Sequence, residues 1–235
     1  MFVPLYDHNP LEHIPRPFVN WSIIAVTCLV YFVFQSDMVV EAYYAAAFGL
    51  GLTPLYLFDG LPAPEGLDLV PEWTTVATYA LVHGDVWHLL GNMVFLWVFG
   101  DNVEDAVGHR RYLAFYVLTA AAGGLTHAAM MPHSDTLLVG ASGAVAGVVG
   151  AYLMLHPRTK LWILVLGRIP LRLTARWPLA LWVAIQVVSA VTTEEEAVAW
   201  WAHVGGLVAG VLLILVMRRP GVPLFDRNLV AQAPT

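Results

Sequence analysis

The sequence is poor in charge: only 12% of its 235 residues are Asp, Glu, Lys or Arg, about half the share of an ordinary soluble domain. Against that scarcity stand 59% hydrophobic residues and a mean hydropathy of +0.69, a membrane composition. Cysteine is nearly absent as well. Cys28 stands alone inside an apolar run, which excludes an intrachain disulfide. The formal net charge of -6 argues against nucleic acid as a partner. A removable signal peptide is not expected, because Asp7, Glu12 and several prolines stand where a basic region and small-residue cleavage pattern would be. Metal chemistry also lacks a pattern. His83, Asp85, His88 and His203 form no HExxH or other clear ligand spacing, so neither a metal nor a cofactor is expected.

What the chain does have is apolar segments near the length of a spanning helix, roughly 20 residues. Six are predicted: Phe18 to Phe34, Trp87 to Gly100, Arg111 to Met130, Ala141 to Leu155, Trp177 to Val191 and Val198 to Met217. The run Leu161 to Leu166 is too brief to span and reads as an interfacial segment or an inner extension of the fifth helix. All Lys and Arg residues fall at Arg16, Arg110 and Arg111, Arg158 to Arg176, and Arg218 to Arg227, in alternate connections. Such alternation predicts six spans with both termini cytoplasmic. The external connections are acidic instead, with Asp37, Glu41, Asp59, Glu65, Asp68, Glu72 and Asp85 in the first and Glu194, Glu195 and Glu196 in the last. The first, residues 35–81, is long and rich in Pro, Gly and aromatics, so it is expected to carry short segments lying in the outer interface, such as Tyr43 to Leu52 and Leu55 to Phe58.

Three polar clusters interrupt the spans: His83 to Asn92, Gly140-Ala141-Ser142-Gly143, and Ala202-His203-Val204-Gly205-Gly206. Polar groups at membrane depth are expensive and face a bundle interior or a wet cavity. Counted from the cytoplasmic charges Arg158, Arg218 and Glu104, Ser142, His203 and His88 lie about 24, 22 and 24 Å up their helices, one common level. A helix beginning near Ser142 is too short to reach the outer surface and must follow irregular backbone buried in protein or lining a cavity. Its first-turn N–H groups would point at an oxyanion formed on attack by the serine, with Gly140 and Gly143 leaving room. Ser142 as a plain N-cap is the alternative, and His203 within reach as a general base decides between the two. Gly143, Gly147 and Gly150 on one face, and Ala202, Gly206 and Gly210 on another, permit close helix approach. His88 and Asn92 share a helix face and can either donate to the oxyanion or bridge helices.

Gly140-Ala141-Ser142-Gly143 resembles the GxSG motif of the rhomboid intramembrane serine proteases, and Ala202-His203 with Gly206 and Gly210 resembles their AHxxGxxxG. His83, His88 and Asn92 match HxxxxHxxxN, and Gly100 through Gly108 with Glu104 resembles GxxxE…G. The resemblance covers about Trp73 to Met217. It implies an all-α membrane protein, a six-transmembrane-helix rhomboid-like bundle with a long structured first external loop, and no third acidic member in the catalytic set. The domains expected are a cytoplasmic tail 1–17, a six-helix protease domain 18–217 with external loop 35–81, and a cytoplasmic tail 218–235. By the same resemblance Ser142 is the nucleophile, His203 the base, and His88 and Asn92 the oxyanion hole, with His83, Gly140 and Gly143 supporting. It further implies cleavage of transmembrane protein substrates in the lipid bilayer, near their outer ends, with span five and Thr192 to Ala197 as the gate. The chain departs from the family at Thr74, where many members have Arg, and at Ala146, where some carry an aromatic residue packed on the histidine, so another group must hold the imidazole. Two competing readings are an inactive rhomboid-like protein that binds transmembrane clients and a small polar-solute transporter, the latter without the inverted repeat common in that class. Short tails and six spans suggest a prokaryotic cytoplasmic membrane.

Overall fold

The computed structural model describes residues 2–36, 38–39, 42–59, 66–67, 69–193 and 198–226. Asp37, Glu41, Glu65, Asp68, Glu194, Glu195, Glu196 and Arg227, and with them most of the expected gate connection, lie outside the described residues. The chain is mostly helical. Strand β1 (Phe2–Asp7) precedes α1 (Phe18–Val30), which continues as a π-helical turn, Tyr31–Gln35. The first connection holds α2 (Tyr43–Leu50), α3 (Pro54–Asp59) and α4 (Thr75–Thr78). Then come α5 (Val86–Phe95), a π-helical turn Leu96–Gly100, α6 (Asp101–Val107), α7 (His109–Met130) and α8 (Ser142–Leu155). Strands β2 (Lys160–Val165) and β3 (Ile169–Thr174) lead to α9 (Arg176–Thr192) and α10 (Trp200–Met217). Among the described residues three helices, Phe18–Gln35, His109–Met130 and Trp200–Met217, are long and apolar enough to cross a membrane. Their outward residues, including Leu29, Val117, Leu118, Leu212 and Val216, are exposed and apolar.

Helix α8 is the centre of the core. All its residues from Gly143 to Tyr152 are buried, and Ala144, Ala146, Val148, Val149, Ala151 and Tyr152 have no exposed surface. It packs against α10 backbone to backbone. A β-carbon on Gly206 would land on the Gly143 carbonyl, and one on Gly210 on the Gly147 carbonyl, so glycine is required by proximity. From the side of α7, Gly123 also approaches the Ala202 carbonyl, 2.8 Å from its would-be β-carbon.

A buried polar network fixes α1 to the second helical segment. Glu104, fully buried, accepts from the Val19 and Asn20 amides (3.0 and 2.7 Å) and so caps the otherwise unsatisfied first turn of α1. Asn20 donates to the Leu96 carbonyl at the π-helical turn (2.9 Å) and accepts from the Tyr112 hydroxyl (2.8 Å). Asp105 receives the amides of Glu12, His13 and Ile14 (3.1, 2.7 and 2.7 Å), which folds the N-terminal segment onto α6.

The mostly helical fold agrees with the all-α expectation, and beside the helices lies a three-stranded antiparallel sheet of order β1-β2-β3 that the apolar runs did not predict. Leu161 to Leu166 is therefore not a helical extension of the fifth span; Leu161 to Val165 belong to a strand. Leu161 and Ile163 face the core with 0% and 2% exposure while Lys160 and Trp162 face outward, the period of two that a strand imposes. Leu166 and Gly167, both at positive φ, make the tight turn into β3, where Arg168 N–H donates to the Val165 carbonyl (3.1 Å). Pro4 and Pro170 sit on the two edge strands, where a missing N–H costs least.

At the junction of sheet and bundle, Asp7 is buried and accepts from the Tyr152 hydroxyl of α8 (2.7 Å). Burial pushes its carboxyl up to about 7, the Tyr152 bond opposing this only in part. Because the folded state then holds a proton that the unfolded chain releases near 3.8, stability is greatest below that pH and falls as pH rises through 7. Asp7→Asn should remove this slope and raise the melting temperature at pH 8, by a stabilisation on the order of 1–3 kcal/mol. Thermal melts of both proteins between pH 4 and 8 check it.

Candidate active site

Ser142 is the first residue of α8, and His203 lies in the first turn of α10. The close packing of these two helices brings His203 Nε2 to 2.7 Å from Ser142 Oγ. His203 is 8% exposed and Ser142 is half-buried. The first intrahelical bond of α8 runs from Val145 N–H to the Ala141 carbonyl (2.9 Å). The amides of Ser142, Gly143 and Ala144 thus precede the ladder, oriented as helix N-terminal amides are toward negative charge.

The backbone leading into the serine is irregular, and the first connection holds it. Leu52 and Leu138 exchange both backbone bonds (3.0 and 2.8 Å), Leu55 N–H donates to the Ser134 carbonyl (3.1 Å), and Gly140 N–H donates to the Tyr79 carbonyl (3.1 Å). The expectation that this connection carries short structured segments is thereby met by α2 to α4. His83, fully buried, accepts from Ala141 N–H at Nε2 (3.3 Å), while its own backbone N–H and carbonyl are bonded to the Gln35 side chain at 3.0 Å each. His83 therefore props the turn that presents Ser142. Gly140 takes φ +113, and a β-carbon there would collide with the His88 imidazole. Both facts demand glycine.

His88 thus lies beside the GxSG turn, its ring 5.2 Å from that of His83. Asp85 caps α5 by accepting from Trp87 and His88 N–H (2.7 and 2.9 Å). Asn92, one turn along α5, is buried and donates to the His88 carbonyl (3.1 Å). Gly143 lies against the Tyr79 hydroxyl, which donates to the Ala120 carbonyl (3.0 Å).

The groups that hold the imidazole in place of an aromatic at Ala146 were not legible in the sequence. Gln186 of α9 reaches His203 Nδ1 at 2.6 Å with its Oε1. Trp200 meets the ring edge-on (5.8 Å, 89°), and Trp182 lies over it (6.3 Å, 30°). Helical spacing places Trp182 and Gln186 on one face of α9, but spacing alone does not say that this face meets His203. Away from the site, His13 pairs with Asp105 (3.0 Å) and His156 with Asp226 (3.1 Å).

Residues 70–220 match the Rhomboid domain family model, and the chain belongs to the rhomboid family. It is similar to the mitochondrial Rhomboid protein 1 of Saccharomyces cerevisiae, 31% identical over 155 residues, covering 62% of this chain and 42% of that protein. Similarity to the chloroplastic Rhomboid-like protein 11 of Arabidopsis thaliana is 30% over 122 residues, 50% of this chain and 40% of that one. With Rhomboid protease GluP of Bacillus subtilis identity is 25% over 162 residues, 68% of this chain and 29% of that protein. The matched region spans less than half the length of each of these relatives. The family consists of integral membrane proteins that are generally intramembrane serine proteases.

Gly206→Ala tests the helix approach. In an open helix the change is favourable by about 1 kcal/mol, but here the new methyl meets the Gly143 carbonyl. The expected result is a melting temperature lower by several degrees and loss of most activity. Gly91→Ala on α5, where a β-carbon meets nothing within 4 Å, should be neutral or slightly stabilising. Parallel melts and activity assays distinguish the two.

Proposed function

We propose that the protein is an intramembrane serine endopeptidase of the rhomboid type, six helical spans deep with both termini on the cytoplasmic side. The observation that carries this reading is the 2.7 Å approach of His203 Nε2 to Ser142 Oγ at the N-terminus of a buried helix. His203 takes the proton of Ser142 as its Oγ attacks a substrate carbonyl. The oxyanion is met by the first-turn amides of α8 together with His88 and Asn92 side chains. His203 then returns the proton to the leaving amine, and water, deprotonated by the same imidazole, releases the acyl group. Substrates are transmembrane segments of other membrane proteins, cut near their outer ends beside a small residue where the helix is easily unwound.

The domain reading is a single protease unit, 18–217, flanked by cytoplasmic segments. The basic connections favour that orientation. A prokaryotic cytoplasmic membrane is the placement we propose, although organellar proteins are among the relatives. Helix α9, whose outward face carries exposed Leu181, Ile185, Val188 and Val191, is the proposed gate.

A fluorophosphonate probe and a model transmembrane substrate, offered to wild type and to Ser142→Ala, test the function. Labelling and cleavage should vanish together in the variant. Cleavage that survives it removes Ser142 from the mechanism, and a wild type that neither labels nor cleaves favours an inactive client-binding protein. The gate is tested by cysteines at Phe95 and Trp182, whose rings are 5.8 Å apart between α5 and α9. Measured against the same double-cysteine protein under reductant, since Trp182 also lies over His203, cross-linking should stop transmembrane cleavage while labelling by the small probe continues. Undiminished cleavage in the locked protein would rule out opening between these helices.

A further inference from the structure

Helix α9 is seated by one stripe of residues, Pro178, Leu179, Trp182, Gln186 and Ala190, all buried, while the opposite face is apolar and exposed. Gln186 is the amide in this stripe and is 5% exposed. A glutamine at membrane depth is expensive unless both ends of its amide are bonded. Both are. Its Nε2 donates to the Trp182 carbonyl one turn back (3.2 Å), and its Oε1 lies 2.6 Å from His203 Nδ1. The first bond fixes the orientation of the second, since a flipped amide would set Oε1 against the Trp182 carbonyl, acceptor against acceptor. With Oε1 facing it, Nδ1 must carry the imidazole proton. The lone pair is then on Nε2, the nitrogen that meets Ser142 Oγ.

From this chain we infer that Gln186 is a positioning residue for nucleophile activation, and that Ser142 is activated only while α9 is seated against α10. The inference rests on the Ser142–His203 reading above and deepens it. Three helices contribute one group each, Ser142 from α8, His203 from α10 and Gln186 from α9. The first two are locked by glycine-mediated backbone contact, whereas the third rides on the helix proposed to move. Displacing α9 takes away the acceptor at Nδ1 and the Trp182 ring together, leaving Trp200 as the flank on α10 itself. The imidazole is then free to hold its proton on Nε2, where it no longer accepts from serine. A substrate that enters past α9 is cut only after that helix returns, so dwelling in the gate and being hydrolysed are separate events.

An amide, unlike a carboxylate, orients the ring without adding charge. The groups that face His203 are Ser142 from α8, Gln186 and Trp182 from α9, and Trp200 from its own helix; the titratable neighbours in its electrostatic surroundings are His88 of α5 and His127 of α7. None of these is anionic, so a carboxylate introduced at position 186 would act on the imidazole directly.

The experiment measures kcat and KM for a model transmembrane substrate, and the rate of fluorophosphonate labelling, from pH 5 to 9. It compares wild type, Gln186→Leu, Gln186→Glu and Ser142→Ala, with melting temperatures for all four. Gln186→Leu should lower kcat and the labelling rate by one common factor of about 10–100, with KM within two-fold and the acidic limb moved to lower pH. Gln186→Glu restores an acceptor at Nδ1 but loses the donor to the Trp182 carbonyl, so above pH 8 its kcat should exceed that of Gln186→Leu while staying below wild type. Its acidic limb should move to higher pH, because the carboxylate favours the imidazolium that cannot act as base. Equal kcat and an unmoved limb in Gln186→Leu overturn the inference. So does a loss of kcat in both variants with neither limb displaced, which is the mark of a merely structural glutamine. Should Gln186→Leu fail to fold, the limb of the isosteric Gln186→Glu decides alone. Activity that persists in Ser142→Ala sinks the dyad itself, whereas activity that requires Ser142 but ignores position 186 sinks only the present inference.

Discussion

The structure depends on the approach of two helix backbones to a separation that no side chain can share. Gly143, Gly147 and Gly150 of α8 lie against the Ala202, Gly206 and Leu207 carbonyls of α10, and Gly206 and Gly210 return the contact from α10. Without a hydrophobic driving force between helices in lipid, such contact must draw its stability from dispersion and shape fit. Its consequence is positional. A hydroxyl at the start of one helix and an imidazole in the first turn of the other, 61 positions apart in sequence, fall within a single hydrogen bond.

The backbone that leads into Ser142 is irregular, and every buried polar group of it needs a partner. The first connection supplies them. Leu52, Tyr79 and His83 bond to Leu138, Gly140 and Ala141, so three successive parts of one loop secure the approach to Ser142. Exposed Trp73, in a short 3-10 turn at residues 72–74, stands outside this framework, and the Thr74 hydroxyl donates to the nearby Pro71 carbonyl (2.7 Å).

The sequence was most informative where the signal is local. The helix bounds Phe18–Gln35, His109–Met130 and Ser142–Leu155 fall within two residues of those expected from apolar runs. The serine and histidine clusters stood out because polar residues are rare in such runs. Position 186 carried the same kind of signal, one glutamine in an apolar helix, but its meaning depends on which neighbour α9 leans against. The sheet was hidden for a different reason. Each strand has six residues, and β1 pairs with a segment more than 150 positions away, a register that no window of hydropathy contains. Asp7 likewise looks like a tail residue until Tyr152 is placed beside it.

Both flanks of the chain converge on one turn of the serine's helix. Asp7 grips Tyr152 from the N-terminal strand, while Phe225 and Asp226 donate backbone bonds to the carbonyls of Met154 and Leu155 (2.8 and 3.0 Å) and the Asp226 carboxylate receives Arg158 N–H (2.7 Å). A domain, tag or binding partner attached at either side is therefore joined to the far end of the same helix that carries Ser142. About 20 Å of continuous helix separates that anchored turn from the Ser142 hydroxyl, so both flanks of the chain and the candidate site share one rigid element.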